Sequence, residues 1–348
     1  MQTVLLPFVA TFLLALVLTP VVIKFAVKIG AMDIPKDDRR VHRIAMPLMG
    51  GLAMYIAVVI GMLLFLPKDR KFLAILIGAT LILISGIKDD IKGTTPKEKL
   101  FYQILAASVA IWGGISIENI TNPFVQGSTG FALSWLTIPI TLFWIVGITN
   151  TLNLIDGLDG LAGGVAFISS FSFMLVALKM ELGFIGVLAA LVAGACLGFL
   201  PYNFNPAKIF MGDTGSLFLG YMLAIISIEG ALKSVATIAM IIPIIILGVP
   251  IFDTTFAIFR RVSKGQSIMT ADKSHLHHRL LEKGFTQKKT VLILYAISGV
   301  FGLFAVLISK VNSSQAVWMS AILFVVALFF AFRLGMFSSK SKEEEDKK

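Results

Sequence analysis

Eleven long apolar runs constrain the fold of this chain more than any other feature of its sequence. Each run has about the length that a helix needs to cross the hydrocarbon core of a bilayer. None alternates with the period of two that membrane β-strands show. Only helices and closed barrels satisfy their backbone in lipid. The sequence therefore predicts an all-α polytopic membrane protein, with spans at about 3–24, 47–66, 72–87, 100–117, 131–150, 161–178, 183–200, 214–230, 235–252, 290–309 and 315–335.

Composition agrees with this class. Hydrophobic residues make up 57% of the chain and charged residues only 14%, far from the balance of a soluble domain. The single Cys196 lies inside an apolar run, which leaves no disulfide framework and no cysteine-based metal site. The net charge of +10 does not indicate nucleic acid, because the charges lie in the loops between the runs. The first run lacks a basic start and a small-residue cleavage site, so we expect it to be retained as a span.

The distribution of basic residues predicts an orientation. With the N-terminus outside, the inside loops hold 24 of the 30 Lys and Arg, as the positive-inside rule requires. The C-terminus is then cytoplasmic. We expect residues 1–335 to form one membrane domain and residues 336–348, a charged segment rich in Ser and Lys, to form a disordered cytoplasmic tail.

In this topology six carboxylates converge on the cytoplasmic face. No Asp or Glu falls in the middle of a predicted span, where a proton or ion path would place one, and no inverted repeat is seen. Both observations weaken a transporter interpretation. The six are Asp89, Asp90, Asp156, Asp159, Asp213 and Asp253.

Asp89 and Asp90 form an adjacent pair at the end of the third span. They could be an ordinary solvated helix end. However, two carboxylates joined by others on folding make a site for a hard cation such as Mg²⁺, which prefers oxygen ligands and shares substrate phosphates.

The stretch from Asn153 to Gly164, NLIDGLDGLAGG, is too polar for membrane filler. It could be a helix cap and turn, with glycines at positive φ. Alternatively, the spacing of three between Asn153, Asp156 and Asp159 would place these side chains on one face of a helical turn. We predict a functional role for them.

The segment from Phe210 to Ser216 opens the eighth span. Asp213, Thr214 and Ser216 are all residue types that cap helices. A Gly-rich helix N-terminus also offers free amides to phosphate, although the Lys of a Walker loop is absent. Asp213 could hold a metal that bridges such a phosphate.

The loop from Arg260 to Lys289 carries three of the four histidines, in the order His275-Leu-His277-His278-Arg279-Leu280. If it is helical, His275, His278 and Arg279 share a face, and Leu276 and Leu280 could lie on the bilayer surface. A zinc site is disfavoured because HExxH and cysteine are missing. Donors to phosphate or sugar oxygens fit better. Lys97, Lys99, Arg260 and Arg261 are either membrane-surface anchors or diphosphate clamps.

Taken in order, these motifs resemble the polyprenyl-phosphate N-acetylhexosamine-1-phosphate transferases over the whole chain. The resemblance includes Asp37-Asp38-Arg39-Arg40-Val41-His42 and Pro250-Ile-Phe-Asp253. The His-Leu-His-His-Arg-Leu motif and eleven spans resemble the branch that transfers GlcNAc-1-phosphate. The phospho-MurNAc-pentapeptide branch typically has three consecutive histidines and ten spans.

The resemblance implies transfer from UDP-GlcNAc to undecaprenyl phosphate with release of UMP, as the first membrane step of teichoic acid, O-antigen or a related polymer. It implies Mg²⁺, with Mn²⁺ as a possible substitute, a bacterial cell membrane location and a homodimer. Asp213 is assigned to the metal, and Asp89 and Asp90 to the metal or the lipid phosphate. The catalytic set is Asp89, Asp90, Asp156, Asp159 and His275, and the substrate-binding set is Lys99, Asn150, Asn153, Arg260, Arg261, His277, His278 and Arg279.

Part of the mechanism follows without the family. A phosphate monoester with a second pKa of about 6 is mostly dianionic at neutral pH, so a strong general base is dispensable. Bringing a dianion to a diphosphate requires cations that neutralise and align. The other interpretations are a phospho-MurNAc-pentapeptide transferase, a transporter of a lipid-linked or nucleotide sugar, and a non-catalytic membrane scaffold.

Overall fold

The computed structural model describes residues 2–34, 45–120, 131–232, 240–263, 265–266, 275–311 and 313–333. The charged segment 37–42 and the predicted tail 336–348 lie outside the described residues. Helices dominate. They are α1 Gln2–Ile29, α2 Gly51–Phe65, α3 Arg70–Lys92, α4 Pro96–Trp112, α5 Thr137–Ile155, α6 Leu161–Lys179, α7 Gly183–Asn203, α8 Gly212–Leu232, α9 Ile241–Ile246, α10 Gly248–Ser263, α11 Leu276–Glu282, α12 Gln287–Ile308 and α13 Ser313–Arg333.

The membrane helices agree with the predicted class. Among the described residues, six helices are long and apolar enough to cross a bilayer, and two shorter apolar helices accompany them at Gly51–Phe65 and Gln315–Phe329. The six are Thr3–Ile29, Arg70–Lys92, Ser134–Ile155, Leu161–Lys179, Gly183–Asn203 and Gln287–Ile308. An all-α membrane fold is therefore confirmed, while eleven spans and their orientation stay predictions.

Helix α8 lies at the centre of the bundle. Nearly all of its described side chains are buried, including the large Phe218 and Tyr221. It packs against α2, α3, α5 and α6, and α1 and α7 pack closely together beside them. The outward faces of α1 and α13 keep many exposed apolar side chains, as expected for lipid-facing helices. Any group presented by the first turn of α8 is thus surrounded by other helices.

The ninth predicted span, 235–252, is wrong as one continuous helix. Its described part is divided into α9 and α10, which meet at Leu247 (φ −89°, ψ 17°). Pro250 has no N–H, so the carbonyl of Ile246 cannot accept the usual helical hydrogen bond. The hydroxyl of Ser169 donates to this carbonyl instead, at 3.3 Å. The break lets α10 run on to Ser263, about a dozen residues past the predicted end.

Two short antiparallel ribbons join helices. β1 (Met32–Asp33) pairs with β2 (Met46–Pro47), and β3 (Asn119–Ile120) pairs with β4 (Phe131–Ala132). The segment before α8 extends the first ribbon: Phe210 N–H donates to the Pro47 carbonyl at 2.9 Å, and Gly50 N–H donates to the Phe210 carbonyl at 3.0 Å. These bonds hold the residues before α8 against the start of α2.

Candidate active site

The end of α3 presents Asp89 and Asp90. The helix stops at Gly93, whose φ of 73° is left-handed and favours glycine. One oxygen of Asp89 accepts the N–H and the hydroxyl of Thr94, at 2.9 and 2.7 Å. Its other oxygen lies 3.0 Å from the Lys99 ammonium. The turn after α3 therefore fixes Asp89 next to the first turn of α4.

Asp90 points to α8. Its carboxylate accepts the N–H of Asp213 at 2.9 Å, and the N–H and hydroxyl of Thr214 at 3.2 and 2.6 Å. Of the two interpretations of this segment, the structure does not bear out a cap from the segment's own side chains, because a residue of α3 caps the helix. The same contacts contradict the expectation that free amides here await a phosphate, since a carboxylate already accepts these two.

Asp213 completes the cluster from the first turn of α8. One of its oxygens lies 2.5 Å from the Lys99 ammonium, and the other accepts the Asn153 side-chain amide at 3.0 Å. The same amide donates to Ser216 at 2.8 Å. Lys99 thus joins Asp89 to Asp213, and Asn153 orients Asp213 from the end of α5.

Three carboxylates meet closely enough to share a cation. Asp89, Asp90 and Asp213 each offer an oxygen, and these atoms all lie within 4.8 Å of one another. An all-oxygen donor set suits Mg²⁺ or Mn²⁺. The Lys99 ammonium shows that Asp89 and Asp213 already attract positive charge here. The residues present therefore fit the metal that the resemblance implies.

Glycine makes this approach of helices possible. A Cβ on Gly51 would lie 2.1 Å from the backbone of Gly215, and a Cβ on Gly86 would lie 2.4 Å from the Cα of Thr214. No side chain fits at either distance. The backbones of α2, α3 and α8 touch at these points, which brings the ends of the three helices together.

The stretch after Asn153 differs from the predicted helical turn. Helix α5 ends at Ile155, and Asp156 follows with a non-helical ψ of 56°. Asn153 points to Asp213, whereas one oxygen of Asp159 accepts the Asn205 side-chain amide at 2.9 Å and the Ala207 N–H at 3.1 Å. The expectation of one shared face is therefore wrong, because the helix stops between these residues.

Asp156 sits among like charges in the site. Loss of hydration, together with the nearby carboxylates of Asp213, Asp90 and Asp159, raises the pKa of Asp156 to about 8. Both effects disfavour the charged form. Without a bound cation, Asp156 is therefore mostly protonated at neutral pH.

Two asparagines that sequence reasoning missed connect the turn after α5 with the segments before α8 and at the start of α12. Buried Asn203 accepts the N–H of Gly160 at 3.1 Å and donates to the Ile209 carbonyl at 3.0 Å. Asn205 bridges Asp159 and Gln287, at 2.9 and 2.8 Å. The available signal was a pair of amide side chains before Pro206, directly after an apolar run. The turn after α5 and the entry to α8 are thus held together.

These loops enclose one large cavity. Its volume is about 670 Å³, within the range of small-molecule sites. Five of the six predicted carboxylates line it, together with side chains from the first ribbon and from α12. The lining residues are Asp33, Leu48, Asp89, Asp90, Asn153, Asp156, Gly157, Leu158, Asp159, Asn203, Phe210, Met211, Gly212, Asp213 and Gln287.

The sixth carboxylate, Asp253, contacts residues 275–279, here called the histidine segment, beside this cavity. His275 is extended (φ −63°, ψ 157°) and precedes α11, so the predicted shared helical face with His278 and Arg279 is wrong. Asp253 contacts His275 Nδ1 at 2.8 Å. His278 lies 4.2 Å from the ring of His277, between ring centroids.

His277 lies against the cavity wall. A Cβ on Gly157 would be 2.4 Å from His277 Nε2, so ring and backbone are in contact. Neither ring nitrogen of His277 has a hydrogen-bond partner within the described residues. The pKa of His277 is lowered to about 3, chiefly by burial and also by His278 and His275, while Asp253 acts in the opposite direction. The ring is therefore neutral.

The remaining basic residues of this loop are buried. Arg260, Arg261 and Arg279 are each less than a tenth exposed, which contradicts a role as membrane-surface anchors for the first two. Leu276 and Leu280 belong to the protein core, so the predicted bilayer contact is also wrong. Helix α11 is short and packs against α12, which accounts for the burial of the two leucines.

Asn150 has a partner of its own. Its side-chain amide donates to Gln103 at 2.7 Å, and Gln103 donates back at 3.1 Å. This reciprocal pair links α4 to α5 one helical turn before Asn153. Contact of Asn150 with a substrate stays a prediction.

The chain is similar in sequence to known proteins over most of its length. The profile of glycosyl transferase family 4 matches residues 72–231. A probable undecaprenyl-phosphate N-acetylglucosaminyl 1-phosphate transferase of Bacillus subtilis is 43% identical, over 95% of this chain and 90% of the relative. The decaprenyl-phosphate N-acetylglucosaminephosphotransferase of Mycolicibacterium smegmatis is 34% identical, over 87% and 81%.

A relative from the other branch is less similar. The phospho-N-acetylmuramoyl-pentapeptide-transferase of Halalkalibacterium halodurans is 30% identical, over 88% of this chain and 97% of the relative. The apolar helices and these relatives together show that the chain is a multi-pass transferase of the bacterial cell membrane. As its motifs predicted, the chain belongs to glycosyl transferase family 4, in the group of polyprenyl-phosphate N-acetylglucosamine-1-phosphate transferases.

Proposed function

We propose that this protein transfers GlcNAc-1-phosphate from UDP-GlcNAc to undecaprenyl phosphate, giving undecaprenyl-diphosphate-GlcNAc and UMP. The reaction takes place on the cytoplasmic face, with eleven spans and an external N-terminus. It is the first membrane step of teichoic acid, O-antigen or related envelope polymer synthesis. The chain acts as a homodimer.

One observation carries this proposal. Asp89, Asp90 and Asp213 meet within 4.8 Å at the wall of a cavity of about 670 Å³, and the Lys99 ammonium lies between two of them. A transporter interpretation leaves this clustering of carboxylates at one end of the helices without a purpose. A phosphoryl transferase needs it, because the charges of donor and acceptor must be neutralised together.

The metal would be held by Asp213 and Asp89, with Asp90 nearby. When bound, Mg²⁺ supplies positive charge that neutralises and aligns the phosphate oxygens. Asp90 contributes chiefly by holding the first turn of α8, since both of its oxygens accept hydrogen bonds from Asp213 and Thr214. Its contacts favour this positioning role over binding of the lipid phosphate.

The chain's own side chains divide the remaining work. Lys99 places a positive charge beside the attacking phosphate, which needs no strong base because it is already ionised. Asn153 keeps Asp213 oriented through its amide hydrogen bond. Asp156 and Asp159 with the turn at Gly157 form the wall for the nucleotide sugar. Arg279 and the histidines of the neighbouring segment approach the diphosphate or the sugar, and Arg260 and Arg261 support them. Asn150 positions Asn153 through α5.

A reconstituted assay tests the proposal. Purified protein in detergent and lipid, supplied with radiolabelled UDP-GlcNAc, undecaprenyl phosphate and Mg²⁺, should give a lipid-linked product and UMP. Absence of product with active-site residues intact would sink the assignment. Asp213→Ala should remove turnover while the protein still accumulates in the membrane.

A panel of donors separates the nearest alternatives. Release of UMP from UDP-MurNAc-pentapeptide in preference to UDP-GlcNAc would place the activity in the other branch. Release from another UDP-N-acetylhexosamine would change the sugar alone. Movement of intact nucleotide sugar into vesicles without UMP release would instead support a transporter.

A further inference from the structure

The carboxylate of Asp253 joins two parts of the histidine segment. It lies on α10, is 1% exposed, and contacts His275 Nδ1 through one oxygen at 2.8 Å. Its other oxygen accepts the backbone N–H of Leu276, the first residue of α11, at 2.7 Å. One side chain of α10 thus fixes both the last residue before α11 and the helix start.

These contacts determine the state of the His275 ring. An ionised carboxylate only accepts hydrogen bonds, so Nδ1 of His275 carries the hydrogen that is donated to Asp253. The ring of His275 is itself 5% exposed and stands parallel to the ring of His277, with 5.8 Å between centroids and 5° between planes. The pair therefore specifies both the orientation and the tautomer of a buried ring.

His277 connects α11 to the cavity. This residue lies in the first turn of α11, and its ring touches Gly157, which lines the cavity. The carbonyl of His275 also accepts the Arg279 N–H at 3.1 Å. A shift of the start of α11 relative to α10 would therefore move His277, and with it the wall formed by the turn after α5.

Stability alone is a poor explanation for a buried charge at this point. Burying a carboxylate costs desolvation free energy that its hydrogen bonds must first offset. Helix α11 already packs into the core through Leu276 and Leu280. The carboxylate instead fixes the orientation of the histidine segment, because two short hydrogen bonds to one rigid group allow only one placement of that segment.

We propose that Asp253 is a positioning residue for the transfer reaction, acting through His275 to place the histidine segment against the cavity. The expected effect on kinetics rests on the proposed function. The pairing of Asp253 with His275 does not depend on it.

Asp253→Asn tests the kinetic consequence with little change in shape. The new amide oxygen can still accept the Leu276 N–H, but its NH₂ group faces His275 Nδ1 and reverses the direction of that hydrogen bond. We expect kcat/KM for UDP-GlcNAc to fall about 10- to 100-fold, by analogy with the loss of a carboxylate that orients a metal-ligating histidine. The KM for undecaprenyl phosphate should stay within about twofold of the wild-type value, a split that a general loss of fold would not give.

Two further variants make the test specific. His275→Gln should lower kcat/KM by a similar factor, and the double variant should be no worse than either single variant, because both act through one pair. Thr254→Val is the matched control: its buried hydroxyl, next to Asp253 on α10, has no hydrogen-bond partner among the described residues. This control should behave as wild type. Wild-type kinetics in Asp253→Asn, or independent losses that multiply in the double variant, would overturn the proposal.

Hydrogen exchange measures the pairing without turnover. In Asp253→Ala the amides of Leu276–Glu282 should exchange at least about tenfold faster than in Thr254→Val, because α11 loses its N-terminal cap. Equal exchange would overturn the proposal even if activity falls. If instead the wild-type protein does not turn over UDP-GlcNAc but this difference in exchange is found, the proposed donor is wrong and the pairing stands.

Discussion

The carboxylate of Asp90 accepts the backbone N–H of Asp213 at 2.9 Å, so the end of α3 holds the start of α8. Because both residues belong to the candidate metal cluster, loss of Asp90 should disturb geometry as well as charge. We expect Asp90→Ala to lower the free energy of unfolding by about 1–2 kcal/mol, the cost of a lost N-cap, and to remove most of the activity.

Asp69→Ala is the control for this prediction. Asp69 caps α3 at its other end by accepting the Phe72 N–H at 2.9 Å, so a similar loss of stability is expected there. Activity per folded molecule should survive. Thermal unfolding in detergent and UMP release measure the two effects, and equal loss of activity in both variants would contradict the positional role of Asp90.

Gly86→Ala should separate α3 from α8. The added methyl would meet the Thr214 Cα at 2.4 Å, and overpacking of this kind costs about 1–3 kcal/mol. We expect a lower unfolding temperature, and a larger loss of activity than of stability, since Asp89 and Asp213 move apart. Gly147→Ala, on α5 with nothing within 4 Å of its Cβ, should be neutral or stabilise by about 0.5–1 kcal/mol. Full activity in Gly86→Ala would refute this account of the helix contact.

Lys99→Gln should separate catalysis from cation binding. The Lys99 ammonium contacts Asp89 at 3.0 Å and Asp213 at 2.5 Å, so it competes with a divalent cation for their charge. We predict a fall in kcat of about 100-fold, comparable to removal of one transition-state donor, together with unchanged or tighter Mg²⁺ binding by calorimetry. Lys97→Gln, two residues away and exposed, serves as the control. Weaker Mg²⁺ binding in Lys99→Gln alone would show that the ammonium supports the cation site.

The raised pKa of Asp156 predicts a pH dependence. Its value of about 8 lies above the ordinary 3.8, so the folded protein binds this proton more tightly than the unfolded chain. The resulting stability is fully present below pH 3.8 and is lost as pH rises through about 8. The metal-free protein should therefore unfold at a lower temperature at about pH 9 than at about pH 6.5.

A cation reverses this effect, since positive charge favours the carboxylate. Mg²⁺ should bind more tightly as pH rises over the same range and should release protons on binding. Asp156→Asn, which cannot ionise, should flatten both trends. Differential scanning fluorimetry and calorimetry in two buffers of different ionisation enthalpy measure them. An unchanged pH trend in Asp156→Asn would assign the titration to another group.

Sequence reasoning succeeded where a property is local. Long apolar runs predict membrane helices because each helix satisfies its own backbone in lipid, and polar motifs between such runs must lie at helix ends. The carboxylates Asp89, Asp156, Asp159 and Asp213 were found in this way, and they line one cavity. The order of the motifs indicated the family.

It failed where a side chain's partner comes from elsewhere in the chain. Asp159 was expected on one helical face with Asn153, but its carboxylate accepts hydrogen bonds from Asn205 and Ala207 instead. Asp90 lies in the cation cluster, as expected of a candidate ligand, but nothing in the sequence indicated its hydrogen bonds to the backbone of α8. Asn203 was missed because its partners, Gly160 and Ile209, are brought to it only by the fold.

The sequence by itself determined the class of protein, the positions of most helices and the residue types available for phosphate chemistry. Only the tertiary structure decided which carboxylates meet at the cation site, which ones fix helices, and that Asp253 supports His275. The reason is physical. Helix formation depends on neighbours within one turn, whereas a site formed at helix ends depends on backbone contacts, such as that of Gly51 with Gly215, between residues far apart in the chain.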